Sequence, residues 1–191
     1  MNRLSRVLLL AGGLALAATS TLAATCEEVE FPDRVTVGGG ALVLNGLGLR
    51  KATIFNVRVY VAGLYLPSKS SESGPIIGDG GPWRLVLRFL RDVDAEDLHE
   101  ALQEGFEKIG ADRAQLQPRI ENLKGLLGGI EEGQSLGFTA EPGAGVTVDL
   151  DDAAKGAIAG ADFAAALLAI WIGPSPPNDE LKSGLLGGAC E

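Results

Sequence analysis

Residues 53–66, which read TIFNVRVYVAGLYL, are the stretch that decides the fold class of this chain. Apolar side chains recur at every second position, which is the period of an extended strand with one buried face. The residues of that face are Phe55, Val57, Val59, Val61 and Tyr65. The other face is mixed, because Asn56, Arg58 and Tyr60 stand among apolar residues. The segment therefore predicts a strand that packs one face into the core.

Further strands are predicted on both sides of this segment. Residues 28–37 and 41–44 are rich in strand formers, and three glycines separate them, so they predict an opening hairpin. Gly46 and Gly48 follow as predicted turn residues. Beyond the central strand, residues 67–82 are rich in Ser, Gly and Pro and predict a surface loop, which leads into a strand at residues 83–90.

A later strand pair and four helices complete the pattern. Residues 135–140 and 146–150 flank a Pro-Gly-Ala-Gly stretch and predict an antiparallel pair. An amphipathic helix is predicted after Asp94, from the helical spacing of Leu98, Leu102, Phe106 and Ile109. The other helices are predicted at residues 119–127 with Pro118 near the start, at residues 162–172 as a buried helix, and at residues 179–186. This order lacks βαβ alternation and predicts an α+β fold, with an antiparallel sheet that carries helices on one face.

The N-terminus has the pattern of a secretory signal peptide. Arg3 and Arg6 precede an apolar run at residues 7–18, and small residues follow, up to Ala23. Cleavage is predicted after Ala23, which leaves one domain at residues 24–191 in a periplasmic or secreted protein. The alternative is a lipoprotein acylated at Cys26, but Thr25 is a poor residue at the preceding position. No membrane span is predicted after cleavage.

The charge of the chain argues against nucleic acid as a partner. The net charge is −9, and the loss of Arg3 and Arg6 with the signal peptide lowers it by two, to −11. Such an acidic protein is repelled by a phosphate backbone. Glycine is abundant, at 27 of 191 residues, but the hydrophobic content of 46% is that of a folded domain with many turns.

The two cysteines lie near the two ends of the mature chain. In an oxidising compartment Cys26 and Cys190 predict one disulfide that joins the termini. A bridge between two chains is the alternative that the sequence leaves open. Closure of such a long loop stabilises the fold by about 4–5 kcal/mol in the chain-entropy account.

Several kinds of chemistry are disfavoured by the residues. His99 is the single histidine and is predicted to be solvated on the polar side of its helix, so no familiar zinc or copper ligand set can be assembled, and no metal or cofactor is predicted. A hydrolase is disfavoured because a Ser-His-Asp triad would need His99, which is predicted to be solvated, as its base. Asp149, Asp151 and Asp152 are predicted to form a solvated turn rather than an acid–base site.

The most specific stretch is LNGLGLRK at residues 44–51, which runs into IFNVRVYVAGLYLP at residues 54–67. It resembles the bacterial chalcone isomerase-like family. FLRDV at residues 89–93, EGF at 104–106 and AIWIGP at 169–174 support the resemblance. The resemblance implies an open-faced β-sandwich, in which a large antiparallel sheet packs against a layer of helices with a ligand cleft between them. Within that superfamily the plant enzymes cyclise chalcones, plastid members bind fatty acids, and others have no known catalysis.

The resemblance also implies which residues form the site. Arg50 matches the arginine with which the enzymes polarise the nascent oxyanion. Tyr60 stands where the enzymes have a threonine, Ala101 falls near their asparagine position, and Ile170 near a Ser/Thr position. The arginine with a tyrosine is the pair that the fatty-acid-binding relatives retain, and together these groups can grip a carboxylate.

Three functional hypotheses follow. The first is a non-catalytic exported protein that binds a fatty acid or a similar small amphipathic acid through Arg50 and Tyr60. The second is an isomerase or intramolecular lyase with Arg50 as the oxyanion stabiliser, and the third is an interaction module without a ligand. A continuous apolar cleft that ends at Arg50 would favour the first two, and a filled core would favour the third. The sequence leaves the ligand and the oligomeric state open.

Overall fold

The computed structural model describes residues 23–52, 55–110 and 113–190. The predicted signal peptide, residues 1–23, lies outside these residues apart from Ala23, so it stays a prediction. None of the helices in the described part of the chain is long and apolar enough to cross a membrane.

Among the described residues, nine strands form two sheets. A separate hairpin consists of β1 (Ala23–Cys26) and β2 (Val29–Pro32). The main sheet consists of β3 (Arg34–Val37), β4 (Gly40–Ala52), β5 (Val57–Leu66), β6 (Trp83–Phe89), β7 (Ser135–Glu141), β8 (Gly145–Leu150) and β9 (Ala153–Ile158). Its strands follow one another in chain order, and every neighbouring pair is antiparallel. The predicted antiparallel sheet is confirmed.

Five helices accompany the sheet in the same part of the chain. They are α1 (Ser73–Gly78), α2 (Ala95–Lys108), α3 (Arg113–Leu126), α4 (Ala161–Ile172) and α5 (Asp179–Leu185). As predicted, α4 is buried almost along its whole length. The strands of the main sheet are antiparallel, and buried side chains of α2, α3, α4 and α5 pack against one of its faces, so the predicted α+β class is confirmed.

Both faces of the central strands are covered. The helix-side core lies between the sheet and the helices, and its sheet residues are Ala62, Leu64, Leu66, Trp83, Leu85, Leu87, Phe89, Leu136, Phe138, Ala140, Val146, Val148 and Ile158. The hairpin-side core lies under the β1–β2 hairpin and contains Cys26, Phe31, Leu42, Leu44, Leu47, Leu49, Val61 and Tyr65. The second core explains why β5 is apolar on both faces.

The predicted disulfide is present and lies within one chain. It joins Cys26 of β1 to Cys190, with the two Cα atoms 6.0 Å apart and 164 residues between them in sequence. The bond therefore ties the β1–β2 hairpin to the segment that follows α5.

Gly46 and Gly48 are not turn residues, and this prediction is wrong. Both lie inside β4, which continues to Ala52. A Cβ atom at Gly46 would clash with the backbone oxygen of Gly184, and one at Gly48 would clash with the backbone oxygen of Leu181. The two glycines are required because α5 lies directly against the backbone of β4.

Other boundaries also differ from the predictions. The predicted loop at residues 67–82 contains α1, and β9 was not predicted at all, since its sequence AAKGAI carries few strand formers. Helix α3 begins at Arg113 instead of residue 119, with Pro118 inside it. Asp94 occupies the N-cap of α2 as predicted, but its side chain makes no capping hydrogen bond.

Phe55 does not lie in the core. It is 81% exposed and lies in the turn between β4 and β5. The predicted strict alternation also breaks at Val59, where the register between β4 and β5 shifts.

Candidate functional site

A cavity of about 370 Å³ lies between the helix-side face of the sheet and helices α2 and α4. Its buried lining is apolar and comes from β6, β7, α2 and α4. These lining residues are Leu87, Phe89, Leu98, Leu102, Gly105, Leu136, Phe138, Ile170 and Trp171. The volume is at the lower end of the range of about 300–1,000 Å³ that is usual for small-molecule sites.

The opening of the cavity is charged. The exposed charged residues that line it are Arg91, Asp92, Asp97, Glu104 and Lys108. Lys108 and Glu104 form an ion pair of 2.9 Å one helical turn apart on α2. The hydrogen bond from Lys108 lowers the pKa of the Glu104 carboxyl, and the charge of Arg50 contributes to the same shift. The rim thus carries both signs of charge around an apolar interior.

Arg50 and Tyr60 lie beside each other on the neighbouring strands β4 and β5, and both line the cavity. They are register partners on β4 and β5, and Tyr60 is in turn the partner of Phe89 on β6. Partners on neighbouring strands share one face of the sheet, with Cβ atoms about 5 Å apart. The ring centroids of Tyr60 and Phe89 are 5.4 Å apart. The sheet register therefore brings the two predicted site residues together on the helix side.

A β-bulge shapes this part of the lining. The partner of Arg50 is Tyr60, but the partner of Lys51 is Arg58, so Val59 is an extra residue on β5. In a bulge two consecutive residues oppose one residue of the neighbouring strand, which redirects the side chains. Val59 and Tyr60 consequently both line the cavity although they are adjacent in sequence.

The Tyr60 hydroxyl is held by helix α4. The indole Nε1–H of Trp171 donates a hydrogen bond of 3.0 Å to the phenolic oxygen of Tyr60. Because this oxygen accepts from Trp171, its own hydrogen is available for donation, and no acceptor for it lies within hydrogen-bond distance among the described residues. Burial raises the pKa of the Tyr60 phenol to about 12, against the opposing effects of the Trp171 hydrogen bond and the Arg50 charge. Tyr60 is therefore a neutral hydrogen-bond donor at physiological pH.

The Arg50 guanidinium is oriented by backbone carbonyl groups. Its Nη1 donates to the oxygen of Lys51 and, across 3.4 Å, to the oxygen of Pro177 in the segment between α4 and α5. Asn178 joins the same segment to β4, since its Nδ2 donates to the Leu49 oxygen over 3.2 Å. Within the described ranges Arg50 takes part in no ion pair. Its charge can thus pair with an anion that enters the cavity.

Ala101 and Ile170 both line the cavity. The sequence placed them near the asparagine and Ser/Thr positions of the enzymes, so both positions are apolar in this chain. Sequence reasoning missed Trp171, although it lies in the quoted AIWIGP stretch. No local pattern marks it as the partner of Tyr60, because the two residues are 111 positions apart.

The predicted solvated turn at residues 149–152 is wrong for Asp149. Asp149 is buried on the sheet face opposite the cavity, where its two carboxylate oxygens accept from the Arg84 guanidinium over 2.7 and 3.0 Å. Thr139 accepts a further hydrogen bond of 2.6 Å from Arg84. Asp151 and Asp152 are exposed as predicted. The cluster serves as a buried ion pair of the sheet and lies away from the cavity.

His99 also differs from its prediction, because it is half-buried rather than solvated. One of its ring nitrogens, Nε2, forms a hydrogen bond of 2.8 Å with the backbone oxygen of Leu127. The contact joins α2 to the segment that follows α3. Over the described ranges of the chain, no group of three His, Cys, Asp or Glu side chains is arranged to hold a metal ion.

Comparisons with known proteins agree with this architecture. A family model described as chalcone isomerase-like matches residues 23–187. Among solved structures, the crystal structure of a fatty-acid binding protein of Arabidopsis thaliana is similar with a TM-score of 0.67 and 17% sequence identity, over 86% of this chain and 95% of that chain. At this identity the likeness is one of fold. No curated protein sequence matches the chain significantly.

Proposed function

The chain belongs to the chalcone isomerase-like family, and from this premise we propose that it binds a fatty acid or a similar small amphipathic acid in the cavity without converting it. The observation that carries the proposal is the pairing of Arg50 with Tyr60 in the wall of an otherwise apolar cavity. One group is a cation that takes part in no ion pair among the described residues, and the other is a neutral donor. Together they match the head of a carboxylic acid, and the apolar lining matches its chain.

The recognition follows from ordinary hydrogen-bond chemistry. The carboxylate would accept from the Arg50 guanidinium and from the Tyr60 hydroxyl, and charge-assisted hydrogen bonds of this kind are about twice as strong as neutral ones. The hydrocarbon chain would contact Leu87, Phe89 and Phe138, whose surfaces already face the cavity. Because a methylene group is about as large as a water molecule, at about 30 Å³, 370 Å³ accommodates roughly twelve such groups. Medium-chain acids therefore fit the volume best.

The same residues argue for binding over catalysis. An isomerase or intramolecular lyase with Arg50 as the oxyanion stabiliser would need further groups to hold its substrate in a reactive geometry. Ala101 and Ile170 supply only apolar surface. Tyr60, with a pKa of about 12, is a weak acid–base group at neutral pH. The presence of an open cavity at Arg50, rather than filled core, supports a ligand over an interaction module.

The predicted export is part of the proposal. We place the mature protein in the periplasm or outside the cell, because the N-terminal pattern is that of a signal peptide and Cys26 is joined to Cys190. Disulfides of this kind persist in oxidising compartments. Amino-terminal sequencing of the protein from its native host tests the cleavage after Ala23.

Ligand binding is tested by native mass spectrometry of protein purified without detergent, followed by denaturing extraction. Calorimetric titration with octanoate, dodecanoate and hexadecanoate then measures affinity for the wild type and Arg50→Ala. We expect a loss of about 10- to 100-fold in the variant, since a hydrogen bond to a charged group contributes about 1.5–3 kcal/mol. Arg88→Ala is the matched control, because Arg88 is exposed on β6 and does not line the cavity.

The outcomes separate the hypotheses. An apo mass that does not change with any of these acids would contradict the proposal and favour an interaction module. To test for catalysis, the turnover of phenolic enones is compared in the wild type and Arg50→Ala. Saturable turnover that disappears in the variant would favour the enzyme.

A further inference from the structure

The register of the main sheet shows how far the cavity extends along the strands. Tyr60 pairs with Phe89 of β6, and both line the cavity beside Arg50. Leu85 lies four positions before Phe89 on β6 and pairs with Phe138 of β7, and of these two partners only Phe138 lines the cavity. At about 3.3 Å per residue, the Tyr60 pair and the Phe138 pair are about 13 Å apart along the strands. The sheet-side wall of the cavity thus runs from Arg50 and Tyr60 to Phe138.

This wall is open at one end and closed at the other. The exposed Arg91 and Asp92 of the charged opening come just after β6 in the chain, so the opening lies at the C-terminal end of that strand. The partner of Phe138 lies near the start of the same strand, and the Phe138 side chain is fully buried. The next pair in this direction is Trp83 with Ala140, and both are buried core that does not line the cavity. The Phe138 ring is therefore the closed end of the cavity.

Trp171 connects the closed end to the Tyr60 hydroxyl. Its indole N–H donates the 3.0 Å hydrogen bond to Tyr60, and its ring centroid lies 5.7 Å from that of Phe138, with the two planes tilted by 42°. A tilted aromatic pair at this separation is attractive beyond the area that it buries. One side chain of α4 thus holds both the proposed carboxylate donor and the ring at the closed end, which fixes the distance between them.

The helices close the cavity sideways. Gly105 of α2 and Ile170 of α4 both line it, and a Cβ atom at Gly105 would lie only 2.7 Å from the Cγ2 atom of Ile170. The missing side chain therefore lets the two helices come together at this level. This contact leaves the direction along the strands, towards Phe138, for a hydrocarbon chain in the cavity.

We propose that Phe138 sets the maximum length of the acids that the cavity accepts, a specificity that rests on the proposed function. With the carboxylate at Arg50 and Tyr60, the hydrocarbon chain passes Leu87 and Leu136 and ends against the Phe138 ring. A longer acid either leaves methylene groups in water at the opening or displaces a ring in a close-packed core. Each methylene group left in water forgoes about fourfold in affinity.

Calorimetric titration of the mature protein with octanoate, dodecanoate and hexadecanoate measures this specificity. In the wild type we expect the affinity to rise from octanoate to dodecanoate and to level off at hexadecanoate. Phe138→Ala removes the ring at the closed end. The ratio of the affinities for hexadecanoate and dodecanoate should then rise about fifteenfold, at about fourfold for each of roughly two further methylene groups that become buried. Phe163→Ala is the matched control and should keep the wild-type ratio, because Phe163 is also fully buried but does not line the cavity.

Two further variants keep the test independent of a loss of stability in Phe138→Ala. Phe138→Leu is the milder substitution and should raise the same ratio, by less. Leu136→Phe places a larger side chain in the middle of the sheet-side wall, so it should act in the opposite direction and lower the affinity for dodecanoate relative to octanoate. Urea unfolding shows that each variant is folded before it is titrated.

The outcomes distinguish this inference from the proposed function. A wild type that binds dodecanoate, together with an unchanged ratio in both Phe138 variants, would overturn the inference and leave the proposed function standing. An equal rise in Phe138→Ala and Phe163→Ala would also overturn it, because the cause would be a general loosening of the core. A wild type that binds none of the three acids would overturn both. A rise confined to the Phe138 variants supports Phe138 as the residue that limits chain length.

Discussion

The indole N–H of Trp171 donates to the phenolic oxygen of Tyr60 across 3.0 Å. This hydrogen bond connects helix α4 to strand β5 at the wall of the cavity. It also sets the direction of the Tyr60 hydroxyl, because an oxygen that accepts from one side donates towards another. The Tyr60 hydroxyl, the proposed hydrogen-bond donor to the ligand carboxylate, is thus positioned by α4, which lies far from β5 in sequence.

Trp171→Phe should reduce the affinity for dodecanoate about fivefold, since one hydrogen bond contributes about 1 kcal/mol. The variant keeps an aromatic ring but removes the donor to Tyr60. Calorimetric titration of Trp171→Phe, Tyr60→Phe and the double variant forms a cycle. If the indole acts through the hydroxyl, the double variant should bind as Tyr60→Phe does. Fully additive losses would show that Trp171 contributes in another way.

The affinity for the acid should not change between about pH 6 and pH 9. The ligand carboxylate is ionised above about pH 5, and the pKa of Tyr60 is raised to about 12, so neither group titrates in this range. Because the folded-state pKa lies above the ordinary value of 10, the associated stability is complete below pH 10 and is lost as the pH rises towards 12. Ultraviolet absorbance of tyrosinate and the affinity are measured at each pH. A tyrosine that ionises near pH 10 in the folded Tyr65→Phe variant would contradict this prediction.

Ala101→Phe should block the cavity without unfolding the protein. Ala101 lines the cavity but is exposed on α2, so a larger side chain can cover the opening without overpacking the core. We expect the affinity for dodecanoate to fall at least tenfold, while the melting temperature stays within a few degrees of the wild type. Glu100→Phe is the control, because Glu100 is the exposed neighbour and does not line this cavity. Equal effects of the two variants would argue against a ligand at this place.

Arg84→Met should cost about 3–5 kcal/mol of stability, because it leaves the buried Asp149 carboxylate without its partner. The Arg84 and Asp149 side chains are 16% and 10% exposed. The matched control is Arg119→Met, which breaks a bidentate pair with Asp162, whose side chain is 60% exposed. The Arg119→Met control should lower the free energy of unfolding by at most about 1 kcal/mol, since solvent screens exposed ion pairs. Urea unfolding measures both, and equal costs would show that burial of Asp149 is not what matters.

Reduction of the Cys26–Cys190 disulfide should destabilise the fold by about 2–5 kcal/mol, because the bond closes a long loop in the unfolded chain. Urea unfolding with and without dithiothreitol measures the loss. The double variant Cys26→Ser/Cys190→Ser should show the same loss and no further response to the reductant. A reductant effect that persists in this variant would refute the assignment to the disulfide.

The sequence predicted much of the fold because strand and helix periods are local. Three elements were identified to within about four residues of their bounds. They are β5, from its alternation; α2, from the spacing of Leu98, Leu102 and Phe106; and α4, from its apolar run. Elements with weak local patterns were missed, as β9 and α1 show. Arg50 and Tyr60 were named through the resemblance to a family, and the register of β4 and β5 makes them partners in the cavity wall.

By itself, the sequence determined the α+β class and the central strand, since these depend on patterns of neighbouring residues. It identified Cys26 and Cys190 as the two thiols that could pair, and the structure joins them within one chain. The tertiary structure decided what depends on distant parts of the chain. It placed Gly46 and Gly48 in a strand against α5, buried Asp149 beside Arg84, exposed Phe55 and joined Trp171 to Tyr60. The physical reason is that burial and hydrogen bonding are set by which surfaces meet after folding, and residues 65 or 111 positions apart leave no local pattern of their contact.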